Sequence, residues 1–223
     1  MSTETNAKPL RPVASVDLET TGLDPERHDA WEIAIVRRDT NGMVTEHLWQ
    51  KRPSEQAILE ADPEALRIGR YHERMAVPED VFALDMTGGA DTLAPAPISL
   101  GELVKQVHSL LDGAILIGSN VGAFDAAFLR KMLGAAPWYY RPVCVATLAA
   151  GFLYSAEPRE MPGEAQPFST GHVSRHMGVR QPGPDERHTA LGDARWAFNL
   201  YTTVVSSPGA RERYRVNLVD GEQ

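Results

Sequence analysis

The stretch Val13-Ala-Ser-Val-Asp-Leu-Glu-Thr-Thr-Gly22 decides how this chain folds. It is an apolar run that closes on two carboxylates, Asp17 and Glu19. Side chains two apart on a strand share a face, so Val16 and Leu18 point one way and the two acids the other. Adjacent anions repel unless something positive lies between them. Hard oxygen ligands on a rigid strand suit magnesium or manganese. The plainer alternative is an edge strand whose acids simply meet water.

Working outward, Pro12 to Leu18 reads as the first strand and Thr20-Thr21-Gly22 turns the chain. Trp31 to Arg38 and Val44 to Gln50 read as two further strands, joined by the hairpin signal Asn41-Gly42. Asp62-Pro63 opens a helix expected to run to about Met75, with Pro at its first position. Ala76 to Pro97, rich in Pro, Gly and Ala, reads as a long loop.

Ser99 and Glu102 have capping-box spacing, and Ile98 can staple onto Leu103. The helix they introduce carries Leu100, Leu103, Val104, Val107, Leu110 and Leu111 on one stripe. Ala114 to Ile117 and Val143 to Val145 read as short strands. Helices are expected from about Gly122 to Leu133, after Thr147, from Ser169 to Met177, and from Thr189 to about Val204. Strand-helix alternation after an antiparallel start predicts an α/β fold on a mixed five-stranded sheet, strands 1–3 antiparallel and the later ones parallel, flanked by helices.

The chain has 223 residues, enough for one domain with ornaments. Its 43% hydrophobic and 23% charged content is that of a soluble globular protein. No apolar run approaches the roughly 18 to 20 residues of a membrane span, and Met1 to Arg11 lacks the apolar stretch of a secretory signal. The single cysteine, Cys144, cannot form an internal disulfide, so a cytoplasmic setting is expected. Its surroundings, Pro-Val-Cys-Val-Ala, read as buried strand. A net charge of -8 argues mildly against coating nucleic acid by bulk charge, though not against a local basic patch beside an acidic site. The expected organisation is an unstructured 1–11, a domain over 12–207 with a long insertion around 51–97, and a polar tail over 208–223.

Two further acids lie on inward stripes. Asp125 precedes Phe128, Leu129 and Met132 at helical spacing, and Asp193 falls among Ala190, Ala194, Ala197 and Tyr201. A carboxylate on a buried face is costly unless paired. A first-turn acid favoured by the helix dipole is the alternative for both, but it does not account for the inward face. The alanines let the last helix approach the sheet, carrying Asp193 towards Asp17. His188 lies five residues before Asp193, and an imidazole suits proton removal near neutral pH.

The order Asp-x-Glu, Asp, His-x-x-x-x-Asp resembles the DEDDh group of 3′–5′ exonucleases. These are relatives of the proofreading subunit of bacterial DNA polymerase III, built on the ribonuclease H-like fold. The motifs are Val16-Asp-Leu-Glu-Thr-Thr-Gly-Leu-Asp-Pro25 with Trp31-Glu-Ile-Ala-Ile-Val36, then Asn120-Val-Gly-Ala-Phe-Asp125, then His188-Thr-Ala-Leu-Gly-Asp193. The resemblance spans most of Val13 to Val204. It implies that Asp17, Glu19, Asp125 and Asp193 hold two Mg2+ or Mn2+ ions and that His188 is the general base; a bridging place for Asp17 between the ions is the expectation that goes with it.

It also implies that Leu18, Thr20, Thr21, Gly22 and Leu23 grip the terminal nucleotide, with Asn120 and Phe124 touching sugar and base. The residues alone leave alternatives: Thr20, Thr21 and Gly22 as turn residues, Leu23 as a core contact, Asn120 as a helix N-cap, and Phe124 packed on Phe128. Arg67, Arg70 and Arg74, with Tyr71 beside them, form a candidate phosphate-contacting strip. A solvated face offset by Glu64 and Glu73 is the simpler reading.

The expected substrate is a nucleic acid 3′ end, DNA favoured over RNA. An RNA-trimming enzyme and an inactive binding module are the alternatives. A DNA polymerase is an open candidate partner, although no polymerase-tethering domain is expected in the tail, and monomer and homodimer both stay open. The 51–97 and Pro-rich 155–168 stretches depart from the family pattern beside the expected cleft.

Overall fold

The computed structural model describes residues 10–88, 94–156 and 169–207. Apolar and small residues carry Val13–Thr20 through the middle of the molecule as strand β1. Ala30–Arg38 (β2) returns beside it, and Val44–Lys51 (β3) follows through a turn in which Gly42 takes φ +87°. These three pair antiparallel, with Asp17 opposite Ala34 and Glu19 opposite Glu32.

Beyond the meander the segment 51–97 is more structured than expected. Glu55–Leu59 forms a short helix, α1. The expected single helix from Pro63 is two, Pro63–Ile68 (α2) and Tyr71–Arg74 (α3). The break falls at Gly69 and Arg70, where Arg70 adopts the left-handed φ of 53°. Asp62 caps α2 as its spacing suggested, accepting the Glu64 N–H at 2.8 Å.

The expected loop over 76–97 contains two strands, Ala83–Asp85 (β4) and Ala96–Ile98 (β5), which extend the open edge of β3. The sheet therefore has seven strands, in the order β5-β4-β3-β2-β1-β6-β7, where five were expected. Three-residue strands are too short to print a period-two pattern, and Pro97 is tolerated because β5 is an edge.

The rest follows the expected alternation. Leu100–Leu111 (α4) starts at Ser99, whose hydroxyl accepts the Glu102 N–H at 3.1 Å. Ile115–Gly118 (β6) lies parallel to β1, and Val143–Cys144 (β7) parallel to β6. Asp125–Leu133 is α5, Val145–Ala156 α6, Thr170–His176 α7 and Ala190–Ser206 α8.

Helices α4 and α5 cover the sheet face carrying Val16 and Leu18, through Leu103, Val107 and Leu129. Helices α6 to α8 cover the other face, where Ala194, Ala197 and Leu200 meet Val36 and Ile117. The close approach of α8 is fixed by Ser15, whose hydroxyl donates to the Ala194 carbonyl at 2.8 Å.

Two smaller expectations change. Helix α5 begins at Asp125 rather than Gly122, with Phe124 at its N-cap position, so Asn120 is not the cap. Cys144 is half-buried at the end of β7 rather than in the core, and its sulfur accepts the Asn120 N–H at 3.4 Å. Expectations for residues 1–9, for most of 155–168 and for the 208–223 tail lie outside the described residues. Among the described residues no helix is long and apolar enough to cross a membrane.

Candidate active site

Three elements bring acids to one end of β1. Asp17 and Glu19 lie on its α8-facing side, and Asp193 comes from the first turn of α8. Each offers a carboxylate oxygen, and the three oxygens lie within 4.8 Å of one another. Asp125 approaches from the first turn of α5. The β1–β6 ladder stops at Ser15 opposite Ile117, and past that point the Leu18 backbone N–H donates to the Asp125 carboxyl. Asp125 is 3% exposed, and its charge reaches Asp17.

Without a counter-charge these groups resist ionisation. Burial, followed by the charges of Asp125, Asp193, Glu19 and Glu32, raises Asp17 well above the ordinary carboxyl range. Glu19 is pushed from 4.5 to about 8 by burial and then by Glu32 opposite it, with Arg74 pulling the other way. Burial lifts Asp125 to about 7 against hydrogen bonds from its own N–H and that of Leu18. Asp193 is raised by burial, opposed by the His188 N–H and by the positive charges of His188, Arg187 and Arg74.

The Asp193 Oδ1 atom is buried with no hydrogen-bond partner among the described residues. An orphaned carboxylate oxygen beside two other converging ones is chemistry that a hard divalent cation would complete.

His188 immediately precedes α8, exposed, in a left-handed conformation with φ 56°. Its N–H donates to Asp193 Oδ2 at 3.1 Å, and its carbonyl accepts from Arg74 Nη1 at 2.9 Å. Arg74 is the residue that sequence reasoning misplaced. Its side chain turns inward rather than along a phosphate strip: it pairs with Glu32, donates to the Gly69 carbonyl at 2.7 Å, and stacks over Trp31.

Glu32, 2% exposed, also accepts the Ala190 N–H at 3.0 Å and a Gln50 Nε2 proton at 3.0 Å. This buried network ties β2, β3, α3 and α8 together behind the acids. An isolated Glu in the apolar run Trp31–Val36 was its one signal in the sequence. Of the other strip members, Arg67 pairs with Glu64 and Arg70 donates to the Asp185 carbonyl at 3.0 Å.

The expected nucleotide-gripping residues divide. Leu18 is buried in the core. Thr20 Oγ1 donates to the Gly22 carbonyl at 2.7 Å, and Thr21 Oγ1 accepts the Asp29 N–H at 3.1 Å, both holding the turn. Gly22 lies under the His28 ring, where a Cβ would sit 2.5 Å from the imidazole. Leu23 is 73% exposed, so it makes no core contact. Asn120 is exposed with φ 57°. Phe124 packs on Phe128 with ring centres 5.1 Å apart.

Beside the acids runs a cleft of about 370 Å³, lined by Asp17 and Asp193 on one side and by residues of α7 on the other. No family model matches the chain, and no curated protein sequence matches it. Solved structures do. E. coli exonuclease I in complex with a dT13 oligonucleotide superposes with a TM-score of 0.61 at 16% identity over 96% of this chain and 44% of that one.

The zinc-bound form of its complex with single-stranded DNA gives 0.64 at 16% identity, over 93% of this chain and 43% of that one. A third structure of exonuclease I, described as suggesting how processivity is achieved, gives 0.63 at 16% identity over 93% and 44%. The fold is ribonuclease H-like. This chain spans less than half the length of those neighbours.

Proposed function

We propose that the protein is a metal-dependent 3′–5′ exonuclease of the DEDDh type, removing nucleoside 5′-monophosphates from the 3′ end of single-stranded or frayed DNA. The observation that carries this reading is the convergence of Asp17, Glu19 and Asp193 around the orphaned Asp193 Oδ1, at the end of the interior strand β1 of a ribonuclease H-like sheet. Likeness to exonuclease I, whose structures hold single-stranded DNA, supports the choice of substrate.

Asp17, Glu19, Asp125 and Asp193 would hold two Mg2+ or Mn2+ ions. All-oxygen donors favour these over zinc. Bound there, such ions supply Lewis acidity that lowers the pKa of water and neutralises charge on the phosphate and on the leaving oxygen. His188 takes the proton of the attacking water on a ring nitrogen. Its exposure leaves that ring open to solvent, and the hydrogen bond that its backbone N–H donates to Asp193 fixes where the ring starts. The water oxygen bonds to phosphorus as the P–O3′ bond breaks, the 3′ oxygen takes a proton from solvent, and the 5′-monophosphate leaves.

Leu23, exposed and next to the Thr20–Gly22 turn, is the member of the expected grip best placed to meet a base. Thr20, Thr21 and Gly22 set the shape of that turn. The lone Cys144 fits a reducing cytoplasm.

DNA and RNA oligonucleotides labelled at either end, incubated with Mg2+ or Mn2+ and then with EDTA, test the reading. Stepwise loss from the 3′ end of DNA that stops with EDTA is expected. Degradation from the 5′ end, or none with either metal, overturns it, and preference for RNA reassigns the substrate. His188→Ala should lower kcat by about 100-fold or more at neutral pH. Turnover near that of the wild type removes the base assignment.

A further inference from the structure

The cleft beside the acids has a second wall of opposite chemistry, formed by α7 and the chain that leads into α8. Three hydrogen bonds hold α7 in place. The hydroxyls of Ser119 and Thr170 share one at 2.8 Å, Gln181 Nε2 donates to the Gly171 carbonyl at 2.9 Å, and Trp196 Nε1 donates to the Ser174 hydroxyl at 2.9 Å. Arg175, on this fixed helix, lines the cleft, as does Arg187, whose guanidinium stacks over Trp196 at 5.4 Å.

The chain carries 30 acids against 22 Lys and Arg, so carboxylate partners are abundant. Arg27, Arg37, Arg67, Arg74, Arg180 and Arg195 each take one, while Arg11, Arg38, Arg52, Arg70, Arg130 and Arg141 take none among the described residues and lie away from this cleft's lining. Arg175 and Arg187 make no ion pair among the described residues, although Asp17 and Asp193 line the same cleft. Two guanidiniums that line one cleft without an ion pair to its carboxylates, one of them pre-oriented by an aromatic face, suit oxyanions that arrive from outside, and the charge of Arg187 already reaches Asp193.

We propose that this wall binds the backbone phosphates of a single nucleic-acid strand leading away from the bond to be cut, with Arg175 and Arg187 each meeting one phosphate. The proposal rests on the nuclease reading, which places the strand's last linkage at the acids. Two cations on separate elements fit a polymer's repeated charge better than one mononucleotide. Contacts to phosphate carry no base information, so the wall is indifferent to sequence.

Two substrates separate the wall from the acids: a short oligo(dT), and the p-nitrophenyl ester of thymidine 5′-monophosphate, which is too small to reach the wall. The Arg175→Ala/Arg187→Ala double variant should raise KM for the oligonucleotide about tenfold, and Arg175→Ala alone, whose charge is not among those acting on Asp193, should raise it while leaving ester hydrolysis unchanged. In EDTA, the slope of log Kd for fluorescein-labelled oligo(dT) against log salt should fall by about 0.7 for each arginine removed.

Arg175→Glu, at an exposed position, should bind more weakly than Arg175→Ala with the same thermal melt, which separates charge from damage to the fold. An unchanged salt slope in the double variant, with the wild type cutting both substrates, overturns the wall alone. Wild-type protein that binds with an arginine-dependent slope yet hydrolyses neither substrate keeps the wall and overturns the nuclease reading.

Discussion

Gly69 illustrates how tightly single atoms are placed at this site. It caps α2 with φ -71°, a value any residue adopts, so its backbone does not require glycine. Space does. A Cβ there would lie 2.8 Å from Glu19 Oε2 and 3.2 Å from Trp31 Cζ2. The Glu19 tip can swing aside at little cost to the fold, but it would then leave the position from which it faces Asp17 and Asp193. Gly69→Ala should therefore weaken Mn2+ binding by about 10- to 100-fold, the range seen when the surroundings of a ligand are disturbed. The melting temperature in EDTA should hardly move. Titration calorimetry checks the first and a thermal melt the second, and unchanged Mn2+ affinity would remove Glu19 from the ligand set.

At the scale of elements, the decisive link is the one Arg74 makes between α3, β2 and the turn before α8. Glu19 and Glu32 face each other across the β1–β2 ladder, an arrangement that destabilises a sheet unless a cation intervenes. Arg74, largely buried, is that cation. Arg74→Met leaves Glu32 buried without its charge partner and should cost about 3–5 kcal/mol in chemical denaturation. Glu32→Gln in the same background should recover part of it. Coupling below about 0.5 kcal/mol in the double-mutant cycle would mean the pair does not act as a unit. Because Arg74 also holds the His188 carbonyl, Arg74→Lys should lower kcat more than it raises KM.

This link was hidden in the sequence for a physical reason. A continuous helix from Pro63 puts Arg67, Arg70 and Arg74 on one outer face, and only the left-handed Arg70 turns Arg74 inward. Likewise β4 and β5 are too short to carry a pattern and exist because β3 offers them an edge. By contrast β1, the hairpin at Asn41-Gly42 and α4 were legible, since each rests on local signals: alternation, a turn dipeptide, a cap. The acids could be picked out because a carboxylate among apolar neighbours contradicts its surroundings, as Asp125 and Asp193 do. Glu32 carries the same signal but was not singled out by it, and its partner lies 42 residues further along the chain.

For the whole molecule, the acids should make stability depend on pH in the direction opposite to ordinary acid denaturation. Glu19 and Asp125 have folded values of about 8 and about 7 against ordinary values of 4.5 and 3.8. Between those limits the folded state keeps protons that the unfolded chain has released. Stability therefore falls as pH rises through the window, and the penalty is complete only above the folded values. Asp29, lowered to about 2 by the Ser54 N–H and by Lys51 and Lys131 despite burial, contributes constantly across this range. A tenfold difference in proton affinity between the folded and unfolded chain corresponds to about 1.4 kcal/mol, so the protein in EDTA should melt at least about 5 °C lower at about pH 8 than at about pH 5.5. Saturating Mn2+ should abolish the difference, because the cation replaces the protons. Asp17→Asn, which removes one of the repelling charges, should raise the melting temperature in EDTA at the higher pH while eliminating hydrolysis. A metal-free melt that is flat or rises with pH across this range would mean the carboxyls repel each other far less than their burial and spacing require, and would take away the strain that makes a divalent cation the natural occupant of this end of β1.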